Sequence, residues 1–404
     1  MYQQSIQNVS ASLNVAPPTS LDNTFEMKAS SASFVVDPDN AEAYYYSEGT
    51  YASATAMSLI LKICMGAAFS ALLLGVIYWK LVGVEALHIM QILFLASILV
   101  PSLPPPLAPA SELWLTLGYN NMFTDFPGLY DFGAPELPKT LTQMQLGVRF
   151  VQNCNYMIAG QLAVVILGGI IYLLGRALTK YSEPLLRVAK FVLVEVLMVL
   201  ILFNCLGVGF SLGLHILYWN RPQAQPTESQ ILNLVPAAVV LVMAVVHFWL
   251  MYKHDQYLEH TNKTLKHDKL SRMHPAVLFS ARFLTGLAIS VLSEFKYGLA
   301  GPATIQLIFL VFVIVKRPYR KTIMSVRAIF NESVIGVIFA ATMAYSFDVM
   351  NASAMAGNSW AEFLSAPAWG ETAFVIAALF FSLVCQVYAI YKATCSDKTV
   401  EVNP

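Results

Sequence analysis

A single carboxylate, Glu195, stands in KFVLVEVLMVLILFNCLGVGF with aliphatic residues on both sides. In such a setting a charge must be paired, face water or take up a proton. A group of that kind can coordinate a cation or relay a proton. Asn204 and Ser211 lie further along the same apolar stretch, among Gly207, Gly209 and Gly213. His247 and Lys62, in other apolar stretches, are candidate partners for the carboxylate. Glu294 and Lys296 bracket Phe295 just before Gly301-Pro302, where a mouth or filter-like turn is one reading. Each feature has a plainer reading as well. Glu195 then makes a structural hydrogen bond, the glycines let helices approach closely, and residues 294–302 form an external hairpin.

The second concentration of chemistry is KRPYRKTIMSVRAIFNES, residues 316–333, between two apolar runs. Pro318 ends the preceding helix. Tyr319, Ile323, Val326 and Phe330 then recur at helical spacing, with Arg320, Lys321 and Arg327 off that stripe. The pattern predicts a short interfacial amphipathic helix. Lys316, Arg317, Arg320, Lys321 and Arg327 become a lipid-facing linker that holds anionic headgroups and couples to the next span. The alternative is a static positive anchor. Glu332 opens the following segment, where a helix dipole favours it and Arg327 or a loop cation is the expected partner.

Other constellations are weaker. His254, His260, His267 and His274 recur six or seven residues apart. Metal ligands on one helix sit three or four apart. The expectation is a solvated helical extension and no metal site. The five cysteines form neither a CxxC pair nor a Cys/His metal spacing. No phosphate loop, nucleophile elbow, HExxH or paired carboxylates can be read, so neither enzyme activity nor a cofactor is expected.

The elements that must position these residues follow from composition. Of 404 residues 57% are hydrophobic and only 12% charged, with a mean hydropathy of +0.60. A water-soluble domain carries about 25% charged residues. Nine apolar segments are predicted as spans: 54–79, 84–103, 156–178, 186–217, 231–252, 276–298, 299–315, 328–349 and 371–391. Each must be helical, because a backbone in lipid has to satisfy its own polar groups. With nine spans and the N-terminus outside, 18 of the 24 cations fall in inside loops, Arg282 and Arg327 among them, as the positive-inside bias requires. The expected architecture is therefore an all-α polytopic bundle with its C-terminus cytoplasmic. Residues 1–52 form an irregular outer segment, 53–394 the membrane domain, 104–155 an ordered external cap and 395–404 a short tail.

Three stretches together resemble a known module. They are LHIMQILFLASILVPSLPPPLAPASELW with its aromatic loop, QNCNYMIAGQLAVVILGGIIYLL, and KRPYRKTIMSVRAIFNES. Residues 50–395 thereby resemble the TRP-like (transient-receptor-potential-like) multi-span domain at the C-terminus of large ciliate and other protist surface proteins, with fungal TRP-like proteins as distant relatives. The resemblance implies membrane residence and, through the fungal relatives, calcium-linked or flavin-related transport. It carries over no catalytic residue; the matched Arg317, Pro318, Asn331 and Glu332 imply a shared linker. Large extracellular regions usually precede this module, and only about 52 residues do so here.

The function expected is channel- or transporter-like, with cations as the permeant species. The competing class is a non-conducting anchor or interaction subunit. Membrane lipids are the expected partners, together with copies of the chain or other membrane proteins; nucleic acid is not. The location expected is the plasma membrane or an endomembrane.

Overall fold

The computed structural model describes residues 84–97, 150–178, 181–218, 227–254, 265–292, 298–352 and 358–396, with scattered helical positions between 56 and 70. The segment 1–52, most of the expected cap, the end of the tail and the pair Glu294 and Lys296 lie outside the described residues.

The described chain is helical, with no strand. In order, α1 is Val84–Ser97, α2 Phe150–Ala177 and α3 Ser182–Lys190. A π-helical turn, Phe191–Val196, joins α3 to α4, Leu197–Leu217. Then come α5 Thr227–Lys253, the single turn α6 Lys269–Arg272, α7 His274–Leu292, α8 Ala300–Lys316, α9 Thr322–Ala352 and α10 Asn358–Ser396.

Among the described residues, six of the nine predicted segments are helices long and apolar enough to cross a membrane: Asn153–Ala177, Ser182–Leu217, Leu234–Lys253, His274–Leu292, Thr322–Met343 and Trp369–Tyr388; most of the expected first span, 54–79, lies outside those residues. The expected seventh span is α8, an apolar helix of 17 residues. The expected second contains α1, of 14 residues. Outward faces are apolar, as lipid requires: Leu162, Ile166 and Leu173 on α2, Val242 and Val245 on α5, and Ile308 and Val315 on α8 are all exposed.

Two hydrophobic clusters share α4. Its C-terminal half packs with α1, α9 and α10 through Phe210, Leu214, Ile338 and Leu379. Its N-terminal half packs with α5, α7 and α8 through Ile201, Ala244, Leu278 and Val313. Between α4 and α7 the backbones nearly touch. A Cβ placed on Gly209 would fall on the carbonyl of Phe283, and one on Gly286 on the carbonyl of Leu206. A Cβ on Gly213 would fall on the Ser290 hydroxyl, with the Leu287 carbonyl close behind it. From Gly209 beside Phe283 to Gly213 beside Leu287 and Ser290 the numbers rise together, so the two helices run parallel. Small residues permit this approach where lipid supplies no hydrophobic drive to associate.

The linker departs from the sequence expectation. Arg317 caps α8 in the left-handed region, at φ 42°. After Pro318 and a short turn, α9 starts at Thr322 and runs unbroken to Ala352, so no separate interfacial helix forms. The stripe read from the sequence divides: Tyr319 is buried and Phe330 packs partly against the core, whereas the other two face outward. Ile323 and Val326 are exposed, while Met324, Ser325, Arg327 and Ala328 are buried. Arg327 is 1% exposed and so cannot be a lipid-facing cation; its guanidinium lies over the Tyr319 ring.

Candidate functional site: a buried charge network

Helices α7, α8 and α9 each send one polar side chain to a common point. Arg282 forms an ion pair with Glu332. Arg282 Nη1 also donates to Gln306 Oε1 at 2.6 Å. Gln306 Nε2 donates to Glu332 Oε2 at 2.9 Å and to the Glu332 carbonyl at 2.9 Å. Arg282 is 0% exposed, and Gln306 and Glu332 are each 1% exposed. Gln306 is suited to this place because an amide both donates and accepts. It therefore binds cation and carboxylate at once.

The depth of the network follows from helix geometry. Arg282 lies eight residues into α7, about 12 Å at a rise of about 1.5 Å per residue. Gln306 and Glu332 are each ten residues from the Lys316/Thr322 turn, about 15 Å. In a hydrocarbon core about 30 Å thick, that is close to mid-depth.

An aromatic column leads from the network to the basic end of the bundle. The Arg282 guanidinium sits 5.4 Å from the Phe309 ring centre. His274 stacks on Phe309 at 6.0 Å and on Phe312 at 6.3 Å, and meets Tyr319 edge-on at 5.4 Å. At the end of the column the chain folds against itself. Leu265 bridges Tyr319 in antiparallel fashion, and Lys266 N donates to Pro318 O at 2.8 Å. Arg320 Nε donates to Leu265 O at 2.6 Å, with its Nη2 3.2 Å from His267 Nδ1. Asp268 caps the next turn, accepting from Ser271 N at 3.0 Å.

The sequence-predicted residues divide among several places. Glu195 is 3% exposed and lies in the π-helical turn. It points inward, so a lipid-facing carboxylate is ruled out. Asn204, Ser211 and His247 are also buried; Ser211 lies beside Cys154 of α2. Lys316, Arg317, Arg320 and Lys321 are exposed at the turn between α8 and α9.

Three expectations are corrected. Arg282, counted as a loop cation, is at the centre of the network. His274, placed in a solvated extension, is 3% exposed in the aromatic column. Glu332 is ten residues inside α9 and pairs with Arg282, not Arg327.

Other buried polar side chains tie neighbouring helices together. His88 Nε2 is 2.8 Å from the Leu202 carbonyl, and Gln91 Nε2 donates to the Phe203 carbonyl at 2.9 Å. Asn331 Nδ2 donates to Ser382 Oγ at 3.1 Å, tying α9 to α10. Among the described residues, no group of three His, Cys, Asp or Glu side chains is placed to hold a metal. No protein-family model, curated protein or solved structure matches the chain.

Proposed function

We propose that this chain is a channel- or transporter-like membrane protein that passes a cation, with Glu195 beside the path. The observation that carries this reading is the number of ionisable side chains held inside a bundle of apolar helices, Glu195, Arg282, Arg327, Glu332 and Glu371 among them. Charge at membrane depth is costly, and proteins keep it chiefly where ions or protons move or where helices change partners. The resemblance of residues 50–395 to the TRP-like module points the same way. In this reading Glu195 attracts the cation, while the Arg282–Gln306–Glu332 network holds α7, α8 and α9 in one arrangement.

A second reading has its own observation. The backbone-to-backbone contact at Gly209 and Gly286 is what a rigid, non-conducting anchor requires. Flux across liposomes distinguishes the two. Purified protein should pass a monovalent or divalent cation, and Glu195→Gln should change the rate or the ion preference. Flux insensitive to Glu195→Gln removes that residue from the path. Folded protein that passes no cation at any voltage leaves the anchor.

A further inference from the structure

We propose that the surface where residues 265–269 meet residues 316–321 is a binding site for the phosphate-bearing headgroups of acidic membrane phospholipids. Residues 265–272 and 316–322 together carry seven Lys and Arg side chains and one carboxylate, Asp268. That carboxylate is already committed to the Ser271 amide. The surface is braced across a long sequence separation. The Leu265–Tyr319 bridge, the Lys266–Pro318 hydrogen bond and the Arg320 contact with Leu265 O fix the two segments against each other. Lys266 Nζ adds a contact to Lys316 O at 3.4 Å.

The bracing uses Arg320 and Lys266 and leaves other cations uncommitted. Lys316, Arg317 and Lys321 are exposed, and their side chains make no ion pair or hydrogen bond among the described residues. Arg317 is held in the left-handed region, an uncommon place for a residue with a Cβ. That backbone fixes where its side chain leaves the turn.

The neighbours argue for a lipid over a free phosphate. Val315 is 69% exposed, and Leu270 and Ile323 are exposed too. Large apolar side chains thus stand open beside the cations, as they do where a protein meets the boundary between hydrocarbon and headgroups. A dissolved anion gains nothing from such a rim. An acyl chain does, while its phosphate meets the cations.

The site is tested by lipid retention, which is read without any flux and does not rest on the transport proposal. The full chain is purified in a neutral detergent and offered phosphatidylglycerol or phosphatidylcholine. Retained lipid is read by native mass spectrometry and the unfolding midpoint by heating. Phosphatidylglycerol should be retained and should raise the midpoint; phosphatidylcholine should do neither. Each of Lys316→Gln, Lys321→Gln and Arg317→Gly should weaken retention about fivefold, as expected for about 1 kcal/mol per interfacial cation. Arg317→Gly also relieves the left-handed backbone, so a poorly folded protein is not the expected cause of its loss. Equal retention of both lipids, or retention unchanged in all three variants, overturns the proposal. Competition by glycerol phosphate as effective as by the lipid assigns the surface to a soluble phosphate and overturns it as well.

Discussion

Helix α7 is held by two contacts of opposite construction. Toward α4 it offers Gly286 to a backbone carbonyl, and Gly209 receives its own carbonyl in return. Toward α8 and α9 it extends its longest side chain, Arg282, to Gln306 and Glu332. The first contact cannot accept an added atom. The second cannot lose one. Lipid explains the need for both, because apolar surface in hydrocarbon gains little by being covered. Association then relies on close van der Waals approach or on polar groups that would otherwise lack partners.

The largest expected effect breaks the polar contact from one side. Glu332→Ala leaves Arg282 buried without its carboxylate and should cost about 3–5 kcal/mol, read as the shift of a denaturant transition in detergent. Arg282→Met combined with Glu332→Leu removes both charges and should restore most of that loss. A double variant as unstable as the single one would mean that the network contributes more than charge pairing.

The glycine contact should respond to the opposite change. Gly209→Ala and Gly286→Ala add one carbon against a backbone oxygen and should cost about 1–3 kcal/mol each. Gly336→Ala is the control, since a Cβ there meets nothing within 4 Å. It should be neutral, or stabilising by about 0.5–1 kcal/mol. Equal losses at all three glycines would sink the comparison.

A smaller effect separates neutral from charged polar contacts. A double-mutant cycle on Asn331 and Ser382 should give a coupling of about 0.6 kcal/mol, the usual size inside membranes. A coupling as large as that of Arg282 with Glu332 would show that charge is not what distinguishes the network.

The smallest effect lies outside the spans, at Asp268. Hydrogen bonding from Ser271 holds its carboxyl below the ordinary value of 3.8. A lowered folded pKa means that the cap contributes fully above the ordinary value and is lost as pH falls through the lowered one. Protection of the Ser271 amide, its exchange rate measured against that of an unfolded amide at the same pH, should therefore fall only in acid. Asp268→Asn keeps an acceptor and should abolish that pH dependence.

The spans were largely legible because lipid forces each one to be a continuous apolar run. The network was not. Counting cations by sequence position treats every Arg as a surface charge, so Arg282 was assigned to a loop although its neighbours are FSA and FLTG. Its partners lie 24 and 50 residues away, and no local pattern encodes such a meeting. One signal was present: a lone Arg, a lone Gln and a lone Glu in three neighbouring apolar segments are complementary, and hydrocarbon gives each a reason to find the others. The divided stripe around the start of α9 has a different cause. Apolar spacing alone does not separate a lipid-facing side chain such as Ile323 or Val326 from one that packs on protein such as Tyr319. In a membrane, polar side chains such as Ser325 and Arg327 are the better markers of the inward face.

The π-helical turn at Phe191–Val196 has a consequence for how one rod serves two neighbours. Before it, Leu185 and Leu186 lie against Gly175 of α2; within it, Leu193 lies against Gly168. After it, Gly209 and Gly213 meet α7. A turn that holds one extra residue sets the angular phase between these two stretches. Deleting one residue there would give a plain α-helix with both stretches near their present phase; winding the same residues as a plain α-helix with none removed would rotate one stretch against the other by about 100°. The rod could then keep its grip on α2 or on α7, but not on both. Glu195 sits within that phase step, so its heading is set by two interfaces at once and cannot swing without loosening one of them.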